Sequence, residues 1–104
     1  MTTRAATLMD LLGLDEDELC VILDSDALTL ISGQLEYASE LRILLDLLVE
    51  PERTLGAAAL RRWVRSVGPA GRRPIEMMLA RDFVSFEDAL GELERRGFVV
   101  RGGG

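Results

Sequence analysis

Apolar residues along the chain recur at helical spacing in a succession of short runs, each closed by glycine, proline or a capping residue. Leu8, Met9, Leu11 and Leu12 make a first helix that stops at Gly13. Asp15 is placed to cap a second, with Glu18 three residues on completing a capping box and Leu19, Ile22 and Leu23 as its apolar stripe. Asp24 or Ser25 is expected to cap a third, running through Ala27, Leu28, Leu30 and Ile31 to Gly33. A longer fourth helix is predicted from Glu36 to Val49, with Tyr37, Leu41, Leu44, Leu45 and Leu48 on one stripe and Pro51 as its stop. Ile43, Leu47 and Val49 widen that stripe until it nearly encircles the helix, the pattern of a central helix or of an oligomer interface. Leu44, Leu47 and Leu48 are the candidate contacts of a homodimer.

The second half continues in the same way. Thr54 is expected to cap a fifth helix carrying Leu60, Trp63, Val64 and Val67. Gly68-Pro69-Ala70-Gly71 reads as a turn. Pro74 suits the first position of a short sixth helix with Ile75, Met78 and Leu79. Ser85 and Asp88 suggest a capping box for a last helix with Phe86, Ala89, Leu90 and Leu93, stopped by Gly97 and followed by an extended Phe98 to Val100. The expected fold is all-α: one compact helical bundle whose front half, residues 1–52, has a helix-turn-helix outline, and whose back half, residues 53–104, is a smaller helical region.

Composition narrows the function. At 104 residues the chain suits one domain. Cys20 is its only cysteine, so no disulfide forms within the chain. Met1 to Ala6 has no signal-peptide pattern and no run is long and apolar enough for a bilayer, so the expectation is a cytoplasmic protein with no membrane partner. Histidine and lysine are both absent. The usual general bases and amine nucleophiles are therefore missing, and no enzyme activity is expected. All 12 basic residues are arginine, against 18 acids. Their distribution is uneven: the front half is strongly acidic and the back half net basic. Either two surfaces with different tasks or two mutually attracting halves would explain it.

The remaining motifs have plain structural readings. Asp15 to Glu18 lie at a helix start, where acids complement the helix dipole. Cys20 sits among acids, which disfavour a thiolate. Asp24-Ser25-Asp26 lacks the glycine and distal glutamate of a calcium loop, so no metal and no cofactor are expected. Gly68-Pro69-Ala70-Gly71-Arg72-Arg73 matches neither a P-loop nor a dinucleotide fingerprint. In the helix-turn-helix outline the would-be recognition helix offers Thr29, Ser32 and Gln34 but no arginine, in an acidic segment that repels phosphate, so DNA binding is doubtful.

One stretch carries a family resemblance. Trp63, the turn, Gly71-Arg72-Arg73-Pro74-Ile75-Glu76-Met77-Met78-Leu79, then Phe86, Ala89-Leu90 and Gly97 resemble the toxin-binding domain of the Xre/MbcA/ParS antitoxins, over roughly residues 57–100. That pattern has a tryptophan, a G-x-x-P turn, a short helix, a further helix and a closing glycine. The resemblance implies a protein partner, a RES-domain toxin that consumes NAD, neutralised by direct binding that covers its cleft. It makes Arg72, Arg73, Glu76, Arg81, Arg95, Arg96, Phe98 and Arg101 the candidate partner contacts, and residues 53–104 the toxin-binding region. The proline–asparagine pair expected after the tryptophan is missing, as is a glycine before the last helix, where Arg81-Asp82 stand. The alternatives are a helix-turn-helix transcriptional regulator and a small dimeric adaptor.

Overall fold

The computed structural model describes residues 3–68 and 71–96. Within them the chain is all-α, with seven helices and no strand. The helices are α1 (Arg4–Leu12), α2 (Glu16–Ile22), α3 (Ala27–Ser32), α4 (Ser39–Leu55), α5 (Ala57–Val64), α6 (Pro74–Leu79) and α7 (Phe83–Arg96), with a 3₁₀ turn at Gln34–Tyr37 between α3 and α4. No helix among these residues is long and apolar enough to cross a membrane.

Local chemistry sets the boundaries. Thr3 caps α1 by accepting from the Ala6 N–H, and Gly13 ends the helix in the left-handed conformation with φ 65°. Asp15 and Glu18 close the predicted capping box at 2.7 and 3.0 Å. Five boundaries differ from the sequence reading. Asp26, not Asp24 or Ser25, caps α3, its Oδ1 accepting from both the N–H and the O–H of Thr29 at 2.8 Å. Asp24 instead takes a positive φ of 53° as the chain leaves α2. Tyr37 lies on the 3₁₀ turn and is 89% exposed, so α4 starts at Ser39, three residues later than the sequence predicts.

Pro51 does not end α4. The helix runs on to Leu55 with the proline ring buried, because α1 and α5 both pack on α4 and burial of its far end outweighs the backbone hydrogen bond that proline cannot donate. Thr54 therefore lies inside α4, and α5 starts from Gly56 with no side-chain cap. Asp82 caps α7, accepting from the Ser85 N–H and O–H at 3.2 and 2.7 Å; Ser85 is the donor and not the cap. Gly97 and the segment Phe98 to Val100 lie outside the described residues.

One hydrophobic core takes buried side chains from every α-helix except α3, whose Leu30 packs against it half-buried. Leu8 and Leu12 of α1, Leu19 and Ile22 of α2, and Leu41, Leu44 and Leu48 of α4 meet Leu60 and Val64 of α5, Ile75 and Met78 of α6, and Phe86 of α7. Trp63 and Phe86 pack with ring centroids 5.8 Å apart at a tilt of 50°. No polar or charged residue is buried among the described residues. The stripe of α4 does not encircle the helix in the folded protein. Leu41, Leu44 and Leu48 face inward, while Ile43 and Val49 stand 56% and 58% exposed.

Exposed arginines of the back half as candidate functional site

The back half places its arginines at helix ends and in the turn before α6. Gly71, at φ 80°, donates its N–H to the Gly68 carbonyl at 2.9 Å, and the Gly68 N–H returns to the Arg72 carbonyl at 3.1 Å. This pairing is the physical content of the G-x-x-P motif. It delivers Arg72 and Arg73 to the surface just as Pro74 opens α6 with its fixed φ and no N–H to satisfy.

Each of these arginines meets a nearby carboxylate. The Arg73 N–H and Nε donate to the two oxygens of Glu76, both at 3.2 Å, and these bonds hold the Glu76 carboxyl below its usual range. Arg72 lies 3.7 Å from Asp82, whose carboxyl is held low first by the two Ser85 hydrogen bonds and then by Arg72. Arg95 and Arg96 share Glu92, the latter through its Nε at 3.1 Å. Glu92 is held low chiefly by the Arg95 hydrogen bond. These four guanidiniums keep 43% to 71% of their side-chain surface exposed. Phe98 and Arg101 lie outside the described residues.

Arg81 has a different setting. Its backbone is left-handed, φ 57°, and its guanidinium reaches Asp24 at 3.4 Å and Glu40 at 3.5 Å while lying over the Phe83 ring. It thus ties α6 to the end of α2 and the start of α4. Arg81 pairs with carboxylates of the front half, whereas Arg72, Arg73, Arg95 and Arg96 pair with carboxylates of their own half.

Arg61 and Arg65, which no sequence motif singles out, make a second seam. Arg65 forks onto Glu18 at 2.7 and 3.1 Å and onto the Gly13 carbonyl at 2.8 Å; Arg61 donates to the Asp10 carbonyl at 2.9 Å. The Arg65 hydrogen bond holds the Glu18 carboxyl low. The signal was available: the two arginines stand one helical turn apart, each next to a core residue, Leu60 and Val64, where long side chains run along the edge of a buried face.

The other sequence candidates fall into place as follows. Leu44 and Leu48, 1% and 0% exposed, belong to the chain's own core and are not open to a second copy; Leu47 is half-buried. They lie inside because α4 turns its 41–44–48 row toward α1, α5 and α7. In α3, the Thr29 hydroxyl is committed to Asp26 and the Ser32 hydroxyl to the Thr29 carbonyl at 2.9 Å, so two of the three possible base readers are engaged locally. The Cys20 thiol is pushed up by burial and then by Asp17, Asp26 and Glu16. Among the described residues no three histidine, cysteine or acidic side chains gather as metal ligands. An open groove of about 330 Å³ between α1 and α4 is lined by Arg4, Thr7, Leu11, Leu45, Leu48, Val49 and Glu52. Compared with known proteins, the chain matches no family model, no curated protein and no solved structure.

Proposed function

We propose that this chain is a protein-binding module of the antitoxin type, which neutralises a partner enzyme by covering it and carries no chemistry of its own. The partner class is the one the sequence resemblance implies, a RES-type toxin that consumes NAD. The observation that carries this reading is the state of Arg72, Arg73, Arg95 and Arg96. Each guanidinium is oriented by a neighbouring carboxylate yet stays substantially exposed, with further N–H donors to offer to a phosphate or an acid on a partner. Trp63, Met78, Phe86 and Leu90, residues that match the antitoxin pattern, are buried in the core.

The test is co-expression with the neighbouring reading frame. The expected result is that the neighbour is toxic alone, that this protein relieves the toxicity, and that reversing the charge at Arg72, Arg73, Arg95 and Arg96 abolishes relief without loss of helicity. A harmless neighbour, or toxicity untouched by this protein, overturns the proposal.

A further inference from the structure

The largest exposed apolar side chains lie at the opposite end of the sequence from those arginines, and the function proposed above does not use them. Leu28 and Ile31 of α3 are 78% and 77% exposed, and Tyr37 on the adjoining 3₁₀ turn is 89% exposed. Leu28 and Ile31 are three residues apart and share one outward face of α3. A helix of six residues with nothing buried gains little by being apolar outside. Single exposed leucines are ordinary, but two on one face, next to an aromatic with a polar tip, are the makings of an interaction surface.

The surroundings select the partner. No basic residue occurs between Arg4 and Arg42, while Asp24 and Asp26 flank the start of α3 and Glu40 follows the 3₁₀ turn; Glu36, within that turn, accepts from the Arg4 and Ala5 N–H groups at 2.6 and 3.0 Å. The two guanidiniums that approach are already engaged. Arg4 donates to the Glu36 carbonyl, and Arg81 is divided between Asp24 and Glu40. Asp24 still leaves 84% of its side chain open. The field is negative even at Cys20 on α2, where Asp17, Asp26 and Glu16 all act on the thiol. Phosphate backbones and anionic bilayers are repelled by such a surface. A second copy docking face to face would set acid against acid in a chain of net charge −6.

We infer that Leu28, Ile31 and Tyr37 form a docking face for a cationic amphipathic helix of a protein partner, its apolar stripe on these three side chains and its basic flanks on the acids around them. The three side chains are distinct from the exposed arginines of the back half, and the inference does not depend on the function proposed for those arginines.

The experiment titrates the full chain into a fluorescently labelled amphipathic helix of leucine and lysine and follows anisotropy. A peptide of the same composition, scrambled so that it has no apolar face, serves as control. Saturable binding is expected, weakened about tenfold or more by the scramble and by the joint substitution Leu28→Ser, Ile31→Ser and Tyr37→Ser, as for the central residues of a protein interface. The three positions are exposed, so far-ultraviolet circular dichroism should be unchanged. Tyr37→Ser alone, outside any α-helix, gives an independent reading and must also weaken binding. Equal binding by the wild-type and substituted proteins, or by both peptides, overturns the inference. So does self-association of the wild-type protein that the joint substitution abolishes, since the face would then belong to a second copy.

Discussion

Arg65→Ala tests how the two halves are held together. The substitution removes two hydrogen bonds to the Glu18 carboxylate and one to the Gly13 carbonyl. A hydrogen bond to a charged partner contributes about 1.5–3 kcal/mol when well sheltered. Here the Arg65 side chain is 42% exposed and that of Glu18 19%, so solvent screening brings the pair toward the surface value of about 1 kcal/mol. The carbonyl bond and the lost packing of the arginine stem contribute a similar amount. The expected cost is about 2 kcal/mol, or roughly a 10 °C fall in Tm for a domain of this size. Urea unfolding followed by Trp63 fluorescence measures it. A double-mutant cycle with Glu18→Ala isolates the pair itself, at about 1 kcal/mol of coupling.

The same pair predicts a pH signature. Arg65 holds the folded-state pKa of Glu18 below its unfolded value. The stability this supplies is complete above the unfolded pKa, roughly 4.3, and is lost as pH falls through the lower folded pKa. The stability gap between wild type and Arg65→Ala should therefore be widest at neutral pH and narrow in acid to the part owed to the Gly13 carbonyl. A total cost under about 0.5 kcal/mol, or a gap that does not change with pH, would refute the claim that this pair joins the halves.

Three further outcomes follow from the packing. Leu48→Ala should cost about 2–5 kcal/mol in urea unfolding; the loss should not vary with protein concentration, as it would if Leu48 lay between two copies. Asp82→Ala should cost about 1 kcal/mol by removing the cap of α7, whereas Ser85→Ala should cost about 0.5 kcal/mol or less; the reverse order would restore Ser85 as the cap. Gly56→Ala should cost about 1–3 kcal/mol in thermal unfolding, although no atom would touch the new methyl group, because φ 87° with ψ 157° is a conformation for glycine alone.

The helices and most of the core were legible because they depend on spacing, and spacing survives folding. Leu19 and Ile22, Leu41, Leu44 and Leu48, and Leu60 and Val64 all lie on the buried side their periodicity indicated. The errors arose where two local signals competed. Pro51 reads as a stop when judged by its missing N–H, and only the packing of α1 and α5 shows why the helix continues. Asp24, Ser25 and Asp26 are all competent caps, and the choice of Asp26 rests on the backbone turning left-handed at Asp24. Leu28, Ile31 and Tyr37 were grouped with the apolar stripes, because a periodic pattern cannot say whether anything covers it. The exposed arginines were legible in part: the motif located Arg72 and Arg73, but no pattern separates Arg81, drawn into a seam, from the more exposed Arg95 and Arg96.

The unequal charge of the halves has two explanations in the sequence, and the structure shows attraction between the halves for part of it. Arg65 and Arg81 cross from the back half to Glu18, Asp24 and Glu40 of the front half, so part of the imbalance works as attraction within the fold. Arg72, Arg73, Arg95 and Arg96 meet only acids of their own half, 76, 82 and 92. Those acids neutralise part of the charge but do not immobilise the arginines in the core. A cation held loosely at the surface by a neighbour of its own element is replaceable at low cost, since its exposed pair contributes roughly 0–1 kcal/mol. A cation bridging two halves is not. By this measure a binding partner would compete for Arg72, Arg73, Arg95 and Arg96, whereas recruiting Arg65 or Arg81 would loosen the contact between the front and back halves.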